Sequence, residues 1–255
     1  MISESLYFEF NGEISSDYGI MNVHVSSGLY NEPFLSGRTI TEYSIRGRNK
    51  PYFQEVTRSP KTLNLTFYLS EGWDEYQIKA VSRWLNVNHY KPLIFSASPE
   101  IVYYAMPIDD SSLVHNGNRE GYITITMRTD SPYSYGKEMT TGWIDASESD
   151  TTEIEIDNLG DDTIIPDIEI EKVGDGDISI SHIYEESDGF TLINLIDGET
   201  IKVDGENRLI ESSLPGVYRY ANSNKQYLKL PFGKCHILVN GKCYIKFDYR
   251  YSFFI

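Results

Sequence analysis

The chain has 255 residues and a mass of 29.2 kDa, which is enough for one large domain or two modest ones. Aromatic residues make up 13% of it, with 20 Tyr and 11 Phe, and disordered chains lack such a content. No apolar run approaches the ~20 residues needed to cross a bilayer, and the N-terminus has no signal-peptide pattern. We therefore expect a folded protein with neither a membrane span nor a secretory leader.

The net charge of −16 is distributed unevenly along the chain. Residues 145–206 carry 20 acidic and 2 basic side chains, whereas residues 207–255 carry 8 basic and 2 acidic ones. Proteins that bind nucleic acid or anionic membranes need a basic face, so the sequence argues against either as a bound ligand. We interpret the acidic block as a solvated surface that aids solubility.

Most of the first half has the period-two pattern of β-strands with one buried face. Apolar and polar residues alternate over 62–69 and again over 122–128, and shorter apolar runs occur at 6–10 and 102–106. These segments predict a sheet in the N-terminal half.

One segment, residues 73–87, has helical periodicity instead. Ser70 is the expected N-cap, and Glu71 begins a run of acidic residues that favours a helix start. We predict one amphipathic helix packed on the sheet. Trp73 and Trp84 are expected to be packing anchors.

The regular pattern lapses at SPYSYGKEMTTGW, residues 131–143, where the charge character also changes. We predict a domain boundary there, with domains at 1–138 and 139–255. Beyond it, short apolar runs alternate with turn dipeptides, which is typical of a β-sandwich. The dipeptides are Asp175-Gly176, Asp188-Gly189, Asp197-Gly198, Asp204-Gly205, Pro215-Gly216 and Asn240-Gly241.

The two cysteines, Cys235 and Cys243, flank the last of these dipeptides. If Asn240-Gly241 forms a two-residue hairpin loop, the cysteines lie on opposite faces of the ribbon. A disulfide needs their Cα atoms within ~7 Å. We predict two free thiols, which is compatible with a reducing compartment.

The sequence offers no recognisable catalytic, metal or cofactor site. None of the five His lies within four residues of another, and the metalloprotease, P-loop and hydrolase motifs are absent. The acidic loops 157–162 and 173–177 do not fit a calcium loop, and we interpret them as side-chain-capped turns. A glycan hydrolase with paired carboxylates stays a remote alternative.

Aromatic side chains in the second half have two interpretations. Trp143, Tyr218, Tyr220 and Tyr227 have the chemistry to stack on a sugar ring, which suggests a carbohydrate-binding adhesin. Tyr and Trp on strands also fill sheets and subunit interfaces. We favour the interface and keep sugar stacking as the alternative.

An ordered series of segments resembles the distal tail proteins (Dit) of long non-contractile-tailed (siphovirus) bacteriophages. The opening FEFNGEISSDYGIMNVHV, the hairpin SIRGRNKPYF and the strand TLNLTFYL resemble the first domain of that family. IDNLGDDTIIPDIEIEKVGDGDISI and LPFGKCHILVNGKCYIKFDYRYSFFI are similar to its galectin-like domain. The resemblance spans nearly the whole chain.

The resemblance implies a mainly β protein, with an N-terminal β-sandwich plus one amphipathic helix and a C-terminal galectin-like β-sandwich. It implies a non-enzymatic hub at the tail tip of the virion, made in the bacterial cytoplasm. Six copies would form a ring joining the tail tube protein to a tail-associated lysin or fibre protein, with a receptor-binding protein as a further partner. DNA would pass through the channel without being bound, and no cofactor is implied.

Basic residues mark a candidate ring contact in the first domain. Arg46 and Arg48 lie at the expected tip of a Gly-containing hairpin, and Arg38 precedes it. In a modestly acidic domain such a tip is suited to pair with carboxylates of a neighbouring copy. An ordinary exposed loop is the alternative.

Overall fold

The computed structural model describes residues 2–24, 29, 32–69, 72–183 and 185–254, with the backbone alone for 185–188. The chain divides into two units, Met1–Tyr135 with Phe253–Ile255, and Gly136–Ser252. The boundary predicted between residues 138 and 139 lies inside strand β10 (Ser134–Thr140), which leaves the first unit and enters the second.

The first unit contains nine strands and one α-helix among its described residues. They are β1 (Phe8–Phe10), β2 (Glu13–Ile14), β3 (Ile20–Val23), β4 (Arg38–Tyr43), β5 (Tyr52–Arg58), β6 (Thr62–Leu69), α1 (Glu75–Leu85), β7 (Lys91–Phe95), β8 (Val102–His115) and β9 (Gly121–Thr129). Seven of the strands form one antiparallel sheet in the order β2-β1-β7-β8-β9-β6-β3, and β4 pairs only with β5.

The sheet of the first unit curls around an aromatic core. Phe8 on β1 stacks on Phe67 of β6, with their ring centroids 4.6 Å apart, although the two strands are far apart in the sheet order. The alternation predicted over 62–69 is confirmed, because Leu63, Leu65, Phe67 and Leu69 are all buried. A sheet with one buried face and one wet face follows from that alternation.

Helix α1 covers this core, as the amphipathic pattern predicted. It begins after the N-cap Asp74, whose side chain accepts a 2.7 Å hydrogen bond from the Gln77 backbone N–H. The predicted N-cap Ser70 and the neighbouring Glu71 lie outside the described residues. Trp84 is a packing anchor, since its ring is buried and its indole N–H donates to the carbonyl of Phe10 at 2.9 Å.

The second unit is a β-sandwich, which confirms the mainly β prediction for this half. Its strands are β11 (Ile144–Ala146), β12 (Thr151–Asn158), β13 (Asp167–Lys172), β14 (Gly176–His182), β15 (Glu185–Leu195), β16 (Thr200–Asp204), β17 (Leu209–Ser212), β18 (Gly233–Asn240) and β19 (Cys243–Phe253). One sheet has the order β12-β18-β14-β15, and the other contains β17-β16-β13-β19 with β11 on β19. Buried residues of both sheets form one cluster, including Ile154, Ile178, Phe190, Ile237, Ile170, Ile201 and Phe247.

The predicted hairpin at Asn240-Gly241 is wrong. Strand β18 pairs with β12 and β14, whereas β19 pairs with β13 and β11, so the turn carries the chain from one sheet to the other. Cys235 and Cys243 therefore do not lie on opposite faces of one ribbon. Both face the same core from opposite sheets.

The predicted turn at Asp188-Gly189 is also wrong, because both residues lie inside β15. A Cβ on Gly189 would come within 2.8 Å of the Ser181 Cβ and 2.9 Å of the Ile180 carbonyl oxygen on β14. Gly189 therefore allows β14 and β15 to approach closely, which is a common role of glycine inside a strand.

Candidate interaction surfaces

Strands β4 and β5 form a two-stranded ribbon that is separate from the main sheet. The pairing runs antiparallel from Arg38 opposite Arg58 to Tyr43 opposite Tyr52, with a register shift after Thr41. Every residue of β4 is exposed, and so are all but the last of β5. An isolated two-stranded ribbon is marginally stable in water, so this element lacks the packing that supports the other strands.

Both faces of this ribbon carry apolar side chains. The register puts Ile40, Val56 and Phe53 on one face, and Tyr43 with Tyr52 on the other. Ile40 is 59% exposed and Phe53 is 63% exposed. Contiguous exposed apolar groups of this kind mark interaction surfaces.

The structure puts Arg46 and Arg48 in the turn that joins β4 to β5, and Arg38 at the base of the ribbon. The Arg48 guanidinium lies over the ring of Tyr52, 3.9 Å from its centroid. Arg38 is the cross-strand neighbour of Arg58, an arrangement of like charges that disfavours the pairing. The ring-contact role of these arginines stays a prediction.

Trp143 is half-exposed immediately before β11, and among the described residues its ring contacts only a lysine. The Lys246 ammonium lies 5.6 Å from the ring centroid, and the same ammonium is 2.9 Å from Glu169 and 3.1 Å from Asp248. The hydrogen bond from Lys246 lowers the pKa of the Glu169 carboxyl. Trp143 thus borders a charged, solvated sheet face.

A 3-10 turn, Arg219–Asn222, follows β17; Tyr218 is its N-cap and Tyr220 is its second residue. Tyr218 is 85% exposed and Tyr220 is 52% exposed. Between them, Arg219 is buried and donates from Nε and Nη2 to the two oxygens of Glu199, both at 2.7 Å.

The Glu199 carboxylate is fully buried and charged. Its oxygens also accept hydrogen bonds from the Ser212 hydroxyl at 2.6 Å and the Ile196 backbone N–H at 3.1 Å. Burial raises the pKa of Glu199, but the bonds from Arg219, Ser212 and Ile196 lower it, and the net pKa lies below its ordinary value. The ion pair is therefore satisfied at both ends.

The aromatic residues singled out from the sequence do not come together in one site. Tyr227 is buried and donates its hydroxyl to the Arg208 carbonyl at 2.6 Å, so its proposed stacking role is wrong. Trp143 borders β19, whereas the Tyr218 turn is tied to β16 and β17. Strands β17 and β19 are three strand spacings apart, roughly 14 Å.

The acidic loop 157–162 is a capped turn, as its interpretation from sequence predicted. The Asn158 amide donates to the carbonyls of Asp162 at 2.9 Å and Leu230 at 2.8 Å, and its oxygen accepts from the Gly160 N–H at 2.9 Å. Within the part of the chain that the structure describes, no group of three or more His, Cys, Asp or Glu could hold a metal ion. None of the described helices is both long and apolar enough for a bilayer crossing.

Cys235 and Cys243 are free and buried, which confirms the prediction of two thiols although its hairpin geometry was wrong. Burial raises the pKa of both, and that of Cys243 reaches about 11. Such thiols are inert at neutral pH.

Two features of these surfaces were not predicted from the sequence, one because no signal exists and one although a signal exists. The first is the ion pair of Glu199 and Arg219, which are 20 residues apart on different elements, so no local pattern pairs them. The two-faced apolar character of β4 and β5 is legible in the sequence, since large apolar residues occupy both odd and even positions there. A strand that packs on one core does not show that pattern.

Comparison with known proteins identifies the family. Residues 3–131 match a family model described as the phage tail protein N-terminal domain, and residues 133–249 match one described as the phage tail C-terminal domain. Together the two models cover most of the chain.

One relative and one solved structure extend the match to full length. The SPbeta prophage-derived protein YomH of Bacillus subtilis (strain 168) is 40% identical over 253 residues, which cover 99% of this chain and 100% of YomH. The crystal structure of SPP1 Dit, described as a paradigm of the hub adsorption apparatus in phages that infect Gram-positive bacteria, superposes with a TM-score of 0.72 at 14% identity. It covers 96% of this chain and 98% of SPP1 Dit, so the Dit resemblance is confirmed for the fold. The chain belongs to the phage tail protein family that the two models describe.

Proposed function

We propose that this protein is a structural, non-enzymatic subunit of the phage tail tip, and that six copies close into a ring. The observation that carries the proposal is the two-faced ribbon β4–β5, on a chain that shares the fold of SPP1 Dit along its whole length. A closed ring of identical subunits needs head-to-tail contacts, in which two different patches of the same chain meet.

The ribbon has the properties of one such patch. Its Ile40, Val56 and Phe53 face and its Tyr43 and Tyr52 face both lie open to solvent. A neighbouring copy that covers either face removes apolar area from water and supports a ribbon that is marginal by itself.

Charge indicates what kind of surface receives the ribbon. Residues 38–58 carry five basic and two acidic side chains, including Arg38, Arg46 and Arg48. The rest of residues 1–144 carries seven basic and fourteen acidic ones. A basic ribbon and an acidic body on the same chain are complementary between copies, which favours association in one orientation.

The remaining roles follow from the same proposal. Residues 1–138 form the ring domain around the channel, and residues 139–255 form an outer galectin-like domain. The ring joins the tail tube protein to a tail-associated lysin or fibre protein in the virion, and a receptor-binding protein attaches to it. DNA passes through the channel during ejection, and the scarcity of basic residues outside the ribbon means that little holds its phosphates.

The test is the oligomeric state of the full-length protein, measured by light scattering over a range of concentrations and by negative-stain electron microscopy. We expect hexamers and annular particles. The Arg46→Glu, Arg48→Glu double variant should associate at least about tenfold more weakly, because it repels an acidic neighbour.

A matched control is available in the second unit, where Lys229→Glu with Lys242→Glu changes the net charge by the same amount. This control should still form rings. A wild-type protein that stays monomeric at high concentration contradicts the ring, and a double arginine variant that forms rings as well as the control contradicts the arginine contact.

A further inference from the structure

The turn that carries Tyr218 and Tyr220 is tied to the rest of the second unit by a buried ion pair. Arg219 lies between the two tyrosines in sequence and is almost fully buried, so the rings on either side of it face outward. The Glu199 carboxylate that receives Arg219 has four donors, at 2.6 to 3.1 Å.

A buried ion pair of this kind adds little net stability compared with apolar residues of the same size. It does favour one arrangement of the chain, because an arrangement that buries either group without the other leaves an uncompensated charge. Here the favoured arrangement is that of the Tyr218–Tyr220 backbone. A site fixed before its ligand arrives avoids part of the entropy cost of binding.

The C-terminal end of the turn is also held by hydrogen bonds. The Ser223 hydroxyl donates to the Tyr220 carbonyl at 2.9 Å. The Asn224 amide donates to the Gly189 carbonyl on β15 at 2.6 Å, and its oxygen accepts from the Thr191 N–H at 3.2 Å. The turn is thus anchored to both sheets of the sandwich.

The segment that carries the two rings contains no acidic residue. Residues 212–247 contain no Asp or Glu, in a chain whose net charge is −16. The Lys225 ammonium lies 5.5 Å from the centre of the Tyr220 ring. Among the described residues, the exposed hydroxyls of Tyr218 and Tyr220 and the side-chain amide of Asn222 have no protein hydrogen-bond partner, and all three lie in the turn or at its N-cap.

We propose that Tyr218 and Tyr220 form a binding platform for a neutral saccharide built of hexopyranose rings. The C–H face of a pyranose packs on an aromatic face, and its hydroxyls can bond the two phenols and the Asn222 amide. A protein-binding hot spot would need aromatic anchors inside an apolar patch that excludes water. The turn and the residues just after it supply the amide of Asn222, the hydroxyl of Ser223 and the ammonium of Lys225, which suit a hydrated sugar better.

This site is distinct from the ring contact and does not depend on it. The two tyrosines are also separate from Trp143, which borders a charged sheet face about three strands away. The proposal therefore assigns binding to Tyr218 and Tyr220 and none to Trp143.

The test uses the full-length protein with three probes, namely tetra-N-acetylchitotetraose, maltotetraose and cellotetraose, in saturation-transfer NMR and calorimetric titration. We expect at least one probe to bind. Tyr218→Ala and Tyr220→Ala should each weaken that binding at least tenfold, while Trp143→Ala and the exposed Tyr244→Ala on β19 leave it unchanged.

A fifth variant, Arg219→Lys, tests the ion pair that anchors the turn. It keeps the charge but loses the two-pronged bond to Glu199, so binding should weaken although both tyrosines are present, with melting temperature and oligomeric state recorded as controls. The proposal is overturned if none of the three probes binds. It is equally overturned if binding persists in both tyrosine variants or disappears in Trp143→Ala.

Discussion

The ribbon β4–β5 and the turn at Arg219–Asn222 both present aromatic side chains to solvent, but the chain supports them in opposite ways. The ribbon has no core of its own, and its main contacts are the cross-strand pairs between its two strands. The turn is fixed from below by a buried carboxylate that accepts four hydrogen bonds. The two elements are similarly exposed, but only the turn is held by buried hydrogen bonds to the rest of its unit.

This difference indicates two kinds of interaction. A surface without internal support gains it from a partner that covers it, as subunits do on assembly. A surface held rigid in advance suits a small ligand, which offers little binding energy to organise its own site.

The largest expected effect is on the anchor of the turn. Glu199→Gln leaves the buried Arg219 guanidinium without its counter-charge, and breaking a buried pair in this way costs about 3–5 kcal/mol of unfolding free energy. Urea denaturation followed by circular dichroism measures the loss. Glu169→Gln, which removes a carboxylate from a partly solvated pair with Lys202 and Lys246, should cost less than about 1 kcal/mol.

A double variant distinguishes the cost of an unpaired buried charge from the cost of altered packing. Replacing both members, as in Glu199→Leu with Arg219→Met, removes the uncompensated charge and should recover most of the stability. Equal costs for the Glu199 and Glu169 substitutions would contradict the view that the turn depends on its buried ion pair.

The next effect concerns the ribbon and shows in association. Phe53→Ala should change the unfolding free energy by less than about 0.5 kcal/mol, because the side chain already lies in water. It should weaken assembly by about tenfold or more, since the neighbour loses an apolar contact. Sedimentation velocity over a concentration series measures this change.

Phe232→Ala is the matched control, since Phe232 is also highly exposed but lies in the second unit. We expect it to assemble like the wild type. If Phe53→Ala instead lowers stability and leaves assembly intact, the ribbon is an internal structural element of the monomer.

The sequence predicted those features that repeat along the chain. The strand 62–69 and the helix around Trp84 were foreseen because buried side chains recur every second or every third to fourth position. The two-residue hairpin at Asn240-Gly241 was predicted wrongly, yet the same pattern argues against it. A two-residue loop pairs odd with even positions, whereas the buried residues are odd on both sides of the turn, from Cys235 to Phe247.

The anchor of the turn could not be predicted in this way. Glu199 follows a Gly turn and Arg219 stands between two tyrosines, so each resembles an ordinary surface residue in its local sequence. Only the tertiary fold removes both from water and brings them together. The burial of one such pair leaves no periodic pattern in a single sequence. Without that signal, a charged residue is expected on the surface, because charged residues are rarely buried unless they are paired.

A smaller effect is expected in acid. The pKa of Glu199 lies below its ordinary value of 4.5, so its contribution to stability is complete above that value and is lost as the pH falls through the lower pKa of the folded state. The stability difference between wild type and Glu199→Gln should therefore be constant near neutral pH and shrink below about pH 4.5. Denaturation series from pH 3 to pH 7 measure it, and a difference that grows toward acid would contradict the charged, buried carboxylate.

The smallest effect concerns the core of the sandwich, which should be closed to solvent although the turn at its surface is open. Burial raises the pKa of the Cys235 and Cys243 thiols, that of Cys243 to about 11, so very little reactive thiolate exists at pH 8. A disulfide reagent such as dithionitrobenzoate should leave both thiols of the native protein unmodified and should titrate two thiols in urea. Rapid modification of either thiol without denaturant would show that the sandwich opens readily, and the rigid support argued for Tyr218 and Tyr220 would then lack its foundation.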